Sequence, residues 1–391
     1  MNGTVTLLMQ LIRECIDDDF RADIDDSELS GERLSDVYRL ASKHDLGHFV
    51  IAALEARHLI GNDEKGYAQR QPLVMAAYRH ERQMFELQRV SGVLESAHIP
   101  HIFLKGSELC NEYPQPFLRT RSDIDVLVEP QNIDAARDAI VEALGYTVRH
   151  TSLHDVSMLS DSRVHVELHY TLWDEEISRG IGKSAADVLE RVWDSARALD
   201  GNTYRLTMDG ALFCFYHYVH MAKHVLNGGC GIKPFVDIKI LKKRNDECRA
   251  GLEWLALEGR IDKFVGVADR LTDVWFGDAR HDDATLCLEE YVLGGGVYGA
   301  DESRIAVAQS KNCGKVGFVL SRIFIPWHEL RVRYPVLNKH KWLTPFCAVA
   351  RWCELVFGKK KDVTARTLRN NAAISDERAR KTREMIKKIG L

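Results

Sequence analysis

One stretch, Phe103 to Glu129 (FLKGSELCNEYPQPFLRTRSDIDVLVE), constrains this chain more than any other. It reads as strand, glycine turn, helix, connecting loop, then a second strand carrying two aspartates. Asp123 and Asp125 are separated by Ile124 alone, and side chains alternate along a strand, so both carboxylates leave one face. Ile124, Val126 and Val128 fill the opposite face, as a strand packed on helices requires. Ionised carboxylates on a sheet face are costly unless a cation pairs them, so these two and Glu167 together ask for metal.

Around this stretch, strand and helix alternate from about Ile99. His101–Leu104 is a short strand, Gly106–Cys110 opens a helix, and Ile124–Val128 is the second strand. Ile133–Leu144 is a helix with Gly145 as its C-terminal cap, and Tyr146–Arg149 starts another strand. Arg163–Tyr170 (RVHVELHY) alternates cleanly, with Val164, Val166 and Leu168 on one face and His165, Glu167 and His169 on the other. The expected class is α+β. A small mixed-sheet core over residues 98–183 is flanked by an N-terminal helical region, 1–97, and a C-terminal helical domain, 184–358. Residues 359–391 form a basic tail, expected as a surface helix or partly mobile end.

In the flanks, Leu7, Leu8, Leu11 and Ile12 recur at helical spacing, as do Leu34, Val37, Leu40 and Ala41 behind a Ser30-Gly31 start. The aspartates between residues 17 and 26 lack the spacing of a calcium loop and read as a solvated loop. A long helix is expected from about Pro72 to Ala97, with Met84, Leu87, Val90 and Leu94 as its apolar stripe and a wet face between them. A short hairpin fits between Ala196 and Leu206, and Asp209–Leu226 is a strongly apolar helix. Pro326, Pro335 and Pro345 cut the aromatic-rich segment Phe318–Phe357 into short helices.

Composition narrows the class. The formal charge of −4 over 391 residues creates no global field that indicates nucleic acid as a partner. Nine scattered cysteines, with no CxxC, suggest reduced thiols in a cytoplasmic protein. No apolar run reaches the roughly 20 residues of a membrane span, so no membrane partner is expected. Oligomeric state is not legible.

The chemistry lies in the central stretch. Asp123 and Asp125 suit Mg²⁺ or Mn²⁺, hard ions that take carboxylate and phosphate oxygens. Glu167 is the candidate third carboxylate, completing the metal site and accepting a proton from an attacking hydroxyl. Lys105, Gly106 and Ser107 form a candidate phosphate loop: glycine for close approach, free helix-start N–H groups, a hydroxyl and a positive charge. Arg121 and Ser122 join this nucleotide-binding set, and Arg119 and Arg121 can clamp phosphates or pair with the aspartates. His165 and His169 read as half-buried strand histidines. His217, His220 and His224 share a helix face, read as a stripe lining the cleft rather than a zinc site. Lys223 and Asp237 flank that turn and can face a nucleotide or acceptor.

LKG, YPQP, RxRSDIDVLV and, about 40 residues on, VELHY together resemble the bacterial family of uncharacterised nucleotidyltransferases. That family belongs to the DNA polymerase β-like nucleotidyltransferase superfamily. The resemblance covers most of the chain from about residue 70. It implies a Gly-Ser turn at Gly106-Ser107, an Asp-x-Asp strand at Asp123 and Asp125, and a third acid at Glu167. The first motif departs from the pattern: it is KGS rather than two glycines and a serine, and it lies farther from the first aspartate. The expected activity moves an NMP from an NTP to an unidentified acceptor hydroxyl with release of pyrophosphate. The alternatives are a non-catalytic nucleotide-binding or interaction protein, or a toxin-type enzyme acting on tRNA or protein.

Overall fold

Among the described residues seven strands form one mixed sheet, with the aspartate strand, Asp123–Val128, at its centre. The computed structural model describes residues 3–152, 154–174, 177, 180–244, 249, 251–296, 301–311, 314–357 and 361–391. The strands are β1 (His101–Phe103), β2 (Asp123–Val128), β3 (Thr147–Thr151), β4 (Asp155–Leu159), β5 (His165–His169), β6 (Arg197–Ala198) and β7 (Arg205–Thr207). β2 runs antiparallel to β1 and parallel to β5, and β5, β4 and β3 follow as antiparallel neighbours. The hairpin expected near residues 196–206 is present, and β7 joins this sheet by pairing parallel to β1. The sheet therefore draws its last two strands from beyond residue 183. The Glu95 carboxylate secures them by accepting the N–H groups of Thr203, Tyr204 and Arg205 at 2.7–2.9 Å.

One strand escaped the sequence reading. β4 alternates as expected, Val156 and Met158 inward, but it is five residues long and begins among polar turn-forming residues. Such a short run carries little periodic signal.

The sheet separates two apolar layers. Phe103, Ile124, Val126, Val128, Val166 and Leu168 pack against Leu87, Val90 and Leu94 of helix α4 and Ala136 and Ile140 of helix α6. Helices α1 (Gly3–Ile16), α2 (Gly31–Lys43) and α3 (Gly47–Ala56) precede α4 (Glu64–Ser96); the four-residue α5 (Gly106–Leu109) and α6 (Ile133–Leu144) follow. Each fully buried aliphatic side chain contributes about 1.5–3 kcal/mol, so this layer fixes β2 strongly. The other sheet face sends Ile102 and Leu127 into a larger core shared by the N-terminal helices and helices beyond residue 182.

Helix α4 begins eight residues before Pro72, because Asp63 caps it by accepting the Gly66 N–H at 2.9 Å. Pro72 is accommodated within it, on a stretch where the preceding turn is exposed. Its polar residues are not all wet. Glu86 is buried and accepts hydrogen bonds from Tyr146, Ser162 (2.6 Å) and Arg89 (3.1 Å). Gln83 is also buried and donates to the Arg121 carbonyl at 3.0 Å, tying α4 to the loop before β2.

The acidic loop after α1 is anchored rather than free. Arg57 binds Glu14 and Asp26, and Lys243 binds Asp17 at 2.8 Å. The expected cut at Pro345 does not occur, since Pro345 lies in the first turn of the helix Thr344–Phe357, where a missing N–H costs nothing. Among the described residues no helix is long and apolar enough to cross a membrane. The seven described cysteines are free thiols; Cys248 and Cys313 lie outside the described residues.

The tail differs from the expectation of a surface or mobile end. Its last helix, Asp376–Ile389, buries Met385, Ile386 and Ile389 in the main core. Few large apolar residues are present there, but three of them share one face. Ile389 is fully buried, so Ile389→Ala is expected to cost about 2–4 kcal/mol in urea unfolding; an undocked tail would leave the midpoint unchanged.

Candidate active site

After β1 the backbone turns sharply at Lys105, whose φ of 51° and ψ of −128° place a non-glycine residue where glycine is favoured. Such a conformation costs of order 1–3 kcal/mol. The turn aims the Lys105 ammonium at the centre of the sheet, where Nζ lies 2.8 Å from Asp125 Oδ1. Gly106 follows, and a Cβ there would sit 3.3 Å from the Arg119 guanidinium, so the tight approach favours glycine.

Two of the helix-start N–H groups expected to be free at this turn are taken. The Ser107 N–H donates to the Leu104 carbonyl at 3.1 Å, and the Glu108 N–H donates to the Lys105 carbonyl at 3.3 Å. Helix α5 is one short turn, with little dipole to offer. What remains is the side chains. The Ser107 hydroxyl is buried and has no hydrogen-bond partner among the described residues, an arrangement that costs about 1–3 kcal/mol.

The parallel pairing of β2 with β5 sets Asp125 directly beside Glu167, and Asp123 beside His165. Asp125 is buried and Glu167 about one-third exposed. His169 lies two residues beyond Glu167 on the same face. Its Nε2 is 2.8 Å from Asp125 Oδ1 and 3.5 Å from Glu167 Oε2. One ligand atom from each of Asp125, Glu167 and His169 falls within 4.8 Å of the others. Asp123 stands outside this tightest trio but on its face, close enough to feel Asp125, Lys105 and Glu167 electrostatically.

The charges do not balance. Burial would push the Asp125 carboxyl up, yet Lys105 and the His169 hydrogen bond hold it well below the usual carboxylate range. Asp123 fares differently. Burial first, then Asp125 and Glu167, push it up to about 6, against a partial offset from Lys105. One ammonium satisfies one carboxylate and leaves its neighbour short of positive charge.

The arginines before β2 go elsewhere. Arg119 turns away from the aspartates and binds Asp237 at 2.6 Å, which also accepts the Tyr113 hydroxyl at 2.5 Å. Asp237 is therefore a buried partner of Arg119 and Tyr113. Arg121 has one nitrogen 3.3 Å from the Met84 sulfur and lies beside the Cys110 thiol, while its buried Nε and Nη1 have no well-formed hydrogen bond among the described residues. Ser122 is exposed. Lys223 is tied to Asp174. His165 is exposed and outside the cluster.

The helix Gly210–Leu226 lies over the carboxylates. Asp209 caps it by accepting the Ala211 and Leu212 N–H groups. His217 bonds the Pro234 carbonyl at 3.0 Å, and His220 and His224 bond each other at 3.3 Å. Burial, then the Lys105 charge, hold His220 well below its ordinary value, so it stays neutral. Tyr216 is buried on the same helix. Burial pushes its hydroxyl up to about 12, with Lys105, Asp125 and Glu167 close enough to act on it. Of the expected stripe, His220 and His224 lie close enough to Lys105 to feel its charge, whereas His217 is turned to the Pro234 carbonyl; Tyr216 joins them on the cleft side. Two grooves of about 960 and 500 Å³ lie away from these residues, beside α1 and α2 and beside the Asp262–Phe276 helix.

Two residues of the cluster escaped the sequence reading. His169 carried a signal, its period-two spacing from Glu167, but alternation cannot reveal that the ring reaches the neighbouring strand. Tyr216 carried none, because an aromatic residue in an apolar helix reads as core.

Residues 30–277, more than half of the chain, match a family described as uncharacterised nucleotidyltransferase. No curated protein matches the chain.

Because the folded protein holds the Asp123 proton more tightly than the unfolded chain, ionising it costs stability as pH rises from 3.8 through about 6. Asp123→Asn removes that cost. In the metal-free protein its gain in thermal stability should be absent near the lower value and level off above the higher one. The plateau should be on the order of 1 kcal/mol, allowing for solvent screening. A loss of stability at neutral pH would contradict the charge imbalance.

Proposed function

Because the chain belongs to the uncharacterised nucleotidyltransferase family, we propose that it moves a nucleoside monophosphate from an NTP to an acceptor hydroxyl. The observation that carries this reading is the register of Asp125 against Glu167 on adjacent parallel strands, with Asp123 beside them on the same face. The order of Gly-Ser turn, Asp-x-Asp strand and third acidic strand also supports a place in the DNA polymerase β-like superfamily. On this reading the catalytic core is residues 98–183 together with the hairpin strands at 197–207.

The site's residues fit a divalent cation. Two carboxylate oxygens and an imidazole nitrogen converge, Asp123 is short of positive charge, and the one ammonium present already spans to Asp125. Asp123, Asp125 and Glu167 would hold Mg²⁺ or Mn²⁺, with His169 fixing the Asp125 carboxylate. When bound, the ion neutralises charge on the phosphates. Lys105, which pairs with Asp125 in the metal-free protein, would offer its ammonium to a phosphate oxygen. The Ser107 hydroxyl, already dry and unpartnered, is the natural second donor. Arg121, with two buried nitrogens that lack a well-formed hydrogen bond among the described residues, is a third.

Glu167, the most exposed of the carboxylates in the trio, accepts the proton of the acceptor hydroxyl. The acceptor oxygen bonds the α-phosphorus as the bond from that phosphorus to the bridging oxygen breaks. Pyrophosphate leaves with that electron pair. Tyr216 and His220, overhead, limit water at the reacting centre.

Glu167→Gln is the cleanest test, since its side chain is partly exposed and its buried neighbour His169 keeps Asp125 at 2.8 Å. Turnover, followed as metal-dependent label transfer from an α-labelled NTP into a cell extract, should fall about 10²–10⁴-fold with unfolding unchanged. Full activity in this variant would end the assignment. Thermal-shift screening of the four NTPs with Mg²⁺ or Mn²⁺ should show stabilisation of about 2.7 kcal/mol at a hundredfold excess over Kd. The response should depend on the metal and be weakened in Ser107→Ala.

A further inference from the structure

Charge along this chain is segregated. Residues 301–375 hold fourteen Lys and Arg against five Asp and Glu, a formal +9, so the remainder of the chain carries −13 of the total −4. The basic region lies beyond the matched residues 30–277. It folds as short helices over two small apolar clusters separate from the main core, one around Phe318 and Ile374 and one around Leu330, Leu337 and Cys347.

Two neighbouring helices in this region leave apolar stripes uncovered. On Lys315–Ile323 and its C-cap, Val316, Leu320 and Phe324 recur every four residues and are 73%, 47% and 64% exposed. Trp342, Phe346 and Val349 follow helical spacing into Thr344–Phe357 and are 69%, 66% and 51% exposed. The two stripes adjoin. The Trp352 indole donates to the Ile323 carbonyl at 2.7 Å, and its ring meets Phe324 edge-on at 5.7 Å. Exposed Arg322, Lys339 and Lys341 stand beside them.

We propose that this face docks on the surface of an anionic lipid bilayer. Large aliphatic and aromatic side chains facing outward, ringed by Lys and Arg, are what an interfacial helix presents to headgroups and acyl chains. Single-stranded RNA would use the aromatic rings and the charge but has no use for Val316, Leu320 and Val349. A second copy of the chain would bring +9 against +9. The attachment is to the surface, since no helix among the described residues is long and apolar enough to span.

The region is joined to the cleft helix. At the end of Gly210–Leu226, Gly228 (φ +94°) approaches Arg304 so closely that a Cβ would lie 2.3 Å from the Arg304 backbone. Docking would therefore hold the carboxylate cleft near the bilayer. The inference does not rest on the nucleotidyl-transfer reading.

Vesicle co-sedimentation of the full chain tests it. The protein should pellet with phosphatidylcholine vesicles containing phosphatidylglycerol, stay in solution with phosphatidylcholine alone, and be released by high salt. Trp342→Ser with Phe346→Ser should lower partitioning roughly tenfold or more, with the melting curve unchanged because both side chains are exposed. Arg322→Gln with Lys341→Gln should weaken binding without touching the apolar stripe. Three results would each overturn the proposal: no binding to anionic vesicles, binding indifferent to both double variants, or a stable dimer whose formation protects Trp342 fluorescence from an aqueous quencher. Tight binding of a single-stranded RNA oligomer with no vesicle binding would assign the face to nucleic acid instead.

Discussion

The ion pair between Lys105 and Asp125 sits where Asp125, Glu167 and His169 converge on one face of a sheet, with the Asp123 carboxylate beside them. In so dry a place an unpaired carboxylate is expensive, and a single ammonium cannot neutralise three. The consequences spread outward. The Lys105 backbone adopts an unfavourable conformation to deliver its side chain, and Asp123 is left with a proton affinity well above that of an ordinary aspartate. Perturbed titration of this kind clusters at functional sites.

Rigidity around this cluster comes from both layers of the sheet. Below it, α4 and α6 clamp the apolar side of β2 and β5, and the buried carboxylate of Glu86 gathers Tyr146 and Ser162 to fix α4 against that side. Above it, the Gly210–Leu226 helix is held by its Asp209 cap and by the larger core. The Arg119–Asp237–Tyr113 network joins the loop before β2 to the Lys233–Arg244 helix. Carboxylates that repel one another stay converged only because both sides are locked by packing worth more than the repulsion.

The outer part of the molecule follows a different logic. The helices between residues 301 and 375 have small satellite cores and expose much of their apolar surface, yet the last helix of the chain returns to the main core through Met385, Ile386 and Ile389. The basic region is thus held at both ends by the acidic body of the protein. A segment free to detach would not need its far end buried.

Strand alternation, which depends only on neighbouring residues, made Asp123, Asp125 and Glu167 legible, together with the helical flanks and the Gly145 cap. Local pattern failed wherever the outcome depended on distant partners. The wet face assigned to α4 contains buried Glu86 and Gln83 because the connections next to the strands, at Tyr146, Ser162 and Arg121, supply their partners, and Arg119 turns from the aspartates to Asp237, 118 residues away in sequence. The Ser107 and Glu108 N–H groups, expected free at the glycine turn, are consumed by carbonyls of the same turn, a matter of backbone torsion that no residue type announces. The sequence by itself determined which side chains share a face, since period two and period 3.6 are properties of a single strand or helix. Only the tertiary structure decided which faces meet, and hence that Lys105 and His169 close on Asp125, because register between strands and the reach of a side chain are set by packing across the whole core.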